Sequence, residues 1–124
     1  MNETKPLSTQ IAVVTGSGRG IGSAISRKLA ELGARVVLTG RDRRLLEATA
    51  RAISQSGCKS DVFPCDIQDL RSVEELASHV EREHGRVDIL VNNAGIGVFG
   101  KPLHVLAPED WPDQRRPAFR RRRL

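Results

Sequence analysis

The 124-residue sequence contains no tyrosine, and aromatic residues make up only 3% of it. The first absence removes a common proton donor from any catalytic inventory, and the second leaves no ring platform on which nucleic-acid bases could stack. Cysteine is scarce too: Cys58 and Cys65 lie seven positions apart, a spacing unlike a redox or zinc pair, so both read as reduced thiols. No apolar run approaches the ~20 residues that a membrane-spanning helix needs. Residues 1–10 are a polar lead-in without a long apolar stretch, so no secretory signal is expected and the cytoplasm is the default compartment.

What is present fits one soluble core, with 39% apolar and 28% charged residues. The net charge of +5 suggests a nucleic-acid partner until it is located along the chain. Residues 1–111 hold 14 basic and 14 acidic side chains, whereas residues 112–124 hold six arginines and one aspartate. The body is neutral and the excess lies in the tail. A nucleic-acid or acidic-surface contact through the tail is therefore a lesser reading.

Ile11–Thr15 is a short β-branched apolar run ending at a glycine cluster, as expected of a strand buried on both faces. A helix follows, with Ile21, Ala24, Ile25, Leu29 and Leu32 on its inner stripe, Lys28 at the margin and Gly33 as its stop. Arg35–Thr39 repeats the strand pattern. Leu45, Leu46, Thr49, Ala50 and Ile53 then mark a second helix ending near Gly57, and Ser60–Pro64 is a weaker third strand. Asp42 is placed to cap the second helix, and Asp69 or Ser72 the third. The third helix has an inner stripe of Leu70, Val73, Leu76, Ala77 and Val80 and ends at Gly85, before a fourth strand within Val87–Asn92. This alternation predicts an α/β fold, a partial Rossmann-type, doubly wound parallel sheet of about four strands in the order 3-2-1-4. We read His79 and His84 as solvated helix residues and find no metal-like constellation that includes them or His104.

The segment Thr15-Gly16-Ser17-Gly18-Arg19-Gly20-Ile21-Gly22 lies between the first strand and the first helix. Its glycines permit a tight turn and close backbone approach, and the helix amides beyond it carry partial positive charge suited to a phosphate. No Gly-Lys-Ser/Thr follows, so a triphosphate-hydrolysing loop is disfavoured.

The spacing Thr15-Gly16-x-x-x-Gly20-Ile21-Gly22 resembles the cofactor loop of the short-chain dehydrogenase/reductase family. Asp66-Ile67, Asn92-Asn93-Ala94-Gly95 and Pro108-Glu-Asp-Trp111 are similar to family segments that follow in the same order. The resemblance covers about residues 8–111 and implies an NAD(P)-binding domain over residues 11–111. It implies that the cofactor would be contacted by Gly16, Ser17, Gly18, Arg19, Gly20, Ile21 and Gly22 in the loop. Asp66 and Ile67 would lie at the adenine, and Asn93, Ala94 and Gly95 along the ribose. Asp66 also suits a plain turn or helix cap, and the Asn92–Asn93 pair suits hydrogen bonding between strands.

Cofactor choice turns on the end of the second strand, where an acidic residue would accept hydrogen bonds from the NAD ribose. Here the end reads Leu38-Thr39-Gly40-Arg41, and Arg41, with Arg19 nearby, suits a 2′-phosphate, so NADP is expected over NAD. Asp42 could face the ribose only if the strand ended one or two residues later.

The family's catalysis uses a Tyr, a Lys four residues after it, a Ser, and an Asn in the helix after the fourth strand. This chain has no Tyr, no Asn after Asn93, no Lys after Lys101 and no Ser after Ser78, so no catalytic residue is assigned. An alcohol or carbonyl substrate is expected only of a full-length relative. Residues 106–111 look like a helix beginning, and the Arg-rich residues 112–124 are expected to be disordered or the product of a shifted reading frame. An abbreviated sheet would expose the fourth strand and favour association. The alternative to an oxidoreductase fragment is a non-catalytic module that holds an adenine dinucleotide.

Overall fold

The computed structural model describes residues 4–94. Four parallel strands alternate with three helices: β1 (Ile11–Thr15), α1 (Gly20–Glu31), β2 (Arg35–Thr39), α2 (Arg43–Gln55), β3 (Ser60–Val62), α3 (Leu70–His84) and β4 (Ile89–Val91). The sheet order is β3-β2-β1-β4, as the sequence predicts. Val13 of β1 stands opposite Val37 of β2 and Leu90 of β4. Gly95, the expected helix start at 106–111 and the tail 112–124 lie outside the described residues.

Strand alternation divides the core into two layers. Ala12, Val14, Val36 and Leu38 face α1 and α2, where they pack with Ala30, Leu46 and Ile53. Val13 and Val37 face α3 and meet Val73, Leu76 and Val80. Because β1 and β2 are covered on both sides, their residues from Ala12 to Thr15 and from Val36 to Thr39 are all buried. Each large aliphatic side chain so enclosed contributes about 1.5–3 kcal/mol relative to exposure.

Two helix stripes differ from the sequence expectation. In α1 the buried residues are Gly22, Ser26 and Ala30, while Ile21 is 71% exposed and Ala24 is exposed as well. Small residues bring this helix close to the sheet, and the Ser26 hydroxyl is satisfied by donating to the Gly22 carbonyl at 2.7 Å. In α3, Val73, Leu76 and Val80 are buried, but Leu70 is 72% exposed and Ala77 is also exposed. Leu70 lies in the first turn, beside the loop that leaves β3, and Ala77 lies about 100° around the helix from Leu76.

The two histidines of α3 are the larger correction. They are not solvated: the His79 and His84 side chains are 16% and 3% exposed, and both point their Nε2 atoms at Asp61 of β3. Their expected isolation from any ligand-like group fails for the same reason, since the sheet register turns Asp61 toward α3, on the same face as Val37. Phe63 stacks on the His79 ring with centroids 4.5 Å apart. Burial works to raise the Asp61 carboxyl, but the hydrogen bonds and charge of His84 and His79 outweigh it and hold the group below the ordinary carboxylate range.

Candidate functional site

The candidate site is a cleft of about 720 Å³ outside the carboxyl ends of the strands, where ligands settle in doubly wound sheets. β1 stops at Thr15 because Gly16 adopts φ +64°, and the chain then passes through residues 17–19 into α1. Ser17 is completely buried and fastens this loop to β2. Its hydroxyl accepts from the Thr39 amide at 2.9 Å, and its own amide donates to the Thr39 carbonyl at 3.2 Å. Thr49 of α2 donates to the Ser17 carbonyl at 3.0 Å. The loop is thus held from beneath by β2 and from the side by α2.

The opposite wall follows β4. The Thr15 hydroxyl accepts from the backbone amides of Asn93 and Ala94, each at 3.0 Å, and the Asn93 side-chain amide donates to the Gly16 carbonyl at 3.2 Å. Of the two roles open to Asn93, these contacts include the inter-strand one. A side chain at Gly18 would put its Cβ 2.8 Å from that of Leu45, so the loop can lie against α2 only without one.

Helix capping distinguishes the three helix starts. Asp42 caps α2 by accepting from the amides of Arg44 and Leu45, and Asp69 caps α3 by accepting from Arg71. The first residue before α1, Arg19, provides no side-chain cap, and no acidic residue stands in the first turn. Three or four amides at a helix start carry partial positive charge, and here that start adjoins the cleft through Gly18 and Arg19. The arrangement suits an anion.

Of the residues singled out in the sequence, Gly16, Gly18, Arg19, Arg41, Asp66, Ile67, Asn93 and Ala94 line the cleft. Ser17 supports the loop from within the protein. Gly20, Ile21 and Gly22 form the start of α1 behind the lining, and Gly95 lies outside the described residues. Asp66 also makes the turn foreseen for it, its carboxylate accepting from the Gln68 amide at 3.0 Å. β2 does end at Thr39, and Gly40, Arg41 and Asp42 all line the cleft, with the Asp42 carboxylate engaged in its cap of α2.

Cys65 and Gln68 also line the cleft, and nothing in their sequence spacing marked them. Cys65 is brought there because the chain keeps running beside β2 after β3 ends, with the Cys65 amide donating to the Gly40 carbonyl at 2.8 Å. The thiol is 3% exposed, and burial pushes its pKa above the ordinary value. Because the thiolate is the reactive form, iodoacetamide at neutral pH is expected to label half-buried Cys58 at least about tenfold faster than Cys65. Peptide mass spectrometry over a time course reads this directly, and faster labelling of Cys65 would contradict the burial.

Among the described residues no helix is long and apolar enough to cross a membrane. The family model for short chain dehydrogenases matches residues 10–114. The chain is 36% identical over 107 residues to the 2,3-dihydro-2,3-dihydroxybenzoate dehydrogenase of Bacillus subtilis (strain 168), covering 86% of this chain and 41% of that protein. Among solved structures, a metagenomic short-chain oxidoreductase in complex with NADP superposes with a TM-score of 0.75 at 51% identity, over 85% of this chain and 48% of that one. The L-sorbose reductase of Gluconobacter frateurii, complexed with NADPH and L-sorbose, gives 0.74 at 34% identity, over 88% and 41%. The chain thus spans less than half the length of these relatives. With the strand order, the glycine turn and the uncapped helix all in register with that match, the chain belongs to the short-chain dehydrogenase family.

Proposed function

We propose that the cleft binds NADP, and that residues 11–111 are the nucleotide-binding part of an oxidoreductase acting on an alcohol or carbonyl compound. The observation that carries this reading is the contrast in capping: α2 and α3 have aspartate caps, whereas α1 starts uncapped behind a glycine turn at the cleft wall. The residues present fit a dinucleotide. The cleft has the size of a cofactor site, side chains at Gly16 and Gly18 would crowd Ala94 and Leu45, and Arg19 and Arg41 stand at the wall without an ion-pair partner among the described residues.

In this assignment the amides of Gly20, Ile21 and Gly22 and the loop backbone from Gly16 to Arg19 receive the diphosphate. Arg41, assisted by Arg19, holds the 2′-phosphate. Asp66 and Ile67 border the adenine, and Asn93 and Ala94, with Gly95, border the ribose near the nicotinamide. When bound, the cofactor supplies or accepts a hydride. The crystallised relatives bound to NADP and NADPH support the choice of cofactor.

Parallel fluorescence titrations with NADPH and NADH test the proposal. NADPH is expected to bind more tightly, and Arg41→Ala to weaken NADPH about tenfold or more while leaving NADH nearly unchanged, as befits one charge-assisted contact of about 1.5–3 kcal/mol. Equal affinities in the wild type would refute the selectivity, and no binding of either would refute the nucleotide reading.

A further inference from the structure

We propose that Asp61, His79 and His84 form a binding site for a divalent transition-metal cation of the zinc type, separate from the nucleotide cleft. Asp61 comes from the edge strand β3, and the two histidines come from the second half of α3. The His79 Nε2 lies 2.6 Å, and the His84 Nε2 2.9 Å, from the same carboxylate oxygen, Oδ2. A carboxylate offers two oxygens, and rings that merely sought acceptors could take one each. Here both nitrogens and the oxygen converge on one point, and one ligand atom from each residue falls within 4.8 Å of the others.

The surroundings favour a held ion over a loose surface cluster. The three side chains are only 3–22% exposed, so they are ordered by packing before any ion arrives. Stacking on Phe63 fixes the plane of His79. The two imidazoles cross at 77° and do not stack on each other, which lets each aim a nitrogen at a shared centre. Two imidazoles with one carboxylate are a borderline donor set, suited to zinc, cobalt or nickel and poor for calcium or magnesium. A tetrahedral cation at about 2.0–2.2 Å from each ligand needs the donors to move apart by about 0.4–1 Å, a side-chain adjustment, and leaves a coordination position for water.

The ion would clamp α3 onto β3, a strand of three residues that among the described residues is held in the sheet on one side only. The ligands lie at the level of Asp61, which pairs in register with Val37, whereas the cleft begins beyond the strand end at Cys65. The site does not rest on the nucleotide reading, and its test leaves that reading untouched.

The test titrates the metal-free full chain with Co²⁺ and with Zn²⁺, following visible Co²⁺ absorption, calorimetric stoichiometry and thermal melting. One Co²⁺ per chain is expected, displaced by Zn²⁺, with ligand-field bands and no thiolate charge-transfer band, and Zn²⁺ should raise the melting temperature. His84→Gln and His79→Gln should each weaken binding at least about 100-fold, since loss of even an outer partner of a metal ligand costs about 10–100-fold. His104→Gln should bind as the wild type does. Far-UV circular dichroism separates loss of the site from loss of the fold. Absence of saturable binding to the folded wild type overturns the proposal, as does a thiolate band or binding that survives His79→Gln/His84→Gln.

Discussion

Gly22→Ala is expected to destabilise the protein by on the order of 3 kcal/mol or more and to abolish nucleotide binding. Alanine is ordinarily the better helix residue, by about 1 kcal/mol, so the sign of the effect rests on sterics. An added Cβ at this position would lie 2.1 Å from the Gly16 carbonyl oxygen and 2.6 Å from the Asn93 side-chain nitrogen. The first of these neighbours is backbone, in a turn already held by Ser17 and Thr49, and cannot yield without dragging the loop off β2. Either α1 must lift from the sheet or the turn must open, and both destroy the cradle. Gly20→Ala is the useful comparison: its Cβ would meet nothing within 4 Å, leaving only the strain of φ +58°, about 1–2 kcal/mol. Urea denaturation of the two variants beside the wild type measures the difference. A Gly22→Ala protein as stable as Gly20→Ala would show that α1 does not sit as closely on the turn as described.

Thr15→Val should lower stability by about 1–3 kcal/mol although it preserves volume and shape. The hydroxyl serves as acceptor for two amides, those of Asn93 and Ala94, and donates to the Val91 carbonyl at 3.3 Å. Valine leaves the Ala94 amide without its partner, at about 1–3 kcal/mol for a group kept from water, and takes one of two partners from the Asn93 amide and the Val91 carbonyl, which still bond each other at 3.2 Å. The damage should be local, because β1 pairs with β4 at only three positions. Hydrogen exchange at residues 93 and 94 is expected to quicken far more than exchange in β2. Thr15→Ser, which keeps the oxygen, should restore most of the protection. Equal protection in the valine and serine variants would mean that the hydroxyl does not organise the cleft wall.

Much of this architecture was readable from the sequence because local chemistry agreed with the global arrangement. The segments Ala12–Val14 and Val36–Leu38 are apolar without alternation because both faces of β1 and β2 are covered. Asp42 and Asp69 marked two helix starts by a mechanism confined to three residues. The misread stripe of α1 has a physical reason. Hydrophobic periodicity weighs large side chains, whereas that helix is seated by Gly22, Ser26 and Ala30, whose value is their smallness. The histidine pair was hidden for another reason: its partner, Asp61, is 18 and 23 residues away and belongs to a strand whose facing depends on register with β2. In the cleft, the glycine turn and Arg41 could be foreseen from spacing. Cys65 could not, since it arrives there through backbone pairing with Gly40 after the strand has formally ended.

The sheet order has a consequence for synthesis on the ribosome. β1 is made first yet lies inside the sheet, with β2 on one flank and β4, about 75 residues further along, on the other. While translation proceeds, a largely apolar strand has one unpaired rim, the kind of rim that invites intermolecular pairing. Its closure waits until Ile89–Val91 have emerged. Codon-level pausing or a holding chaperone in that interval would govern how much of this polypeptide reaches the native state.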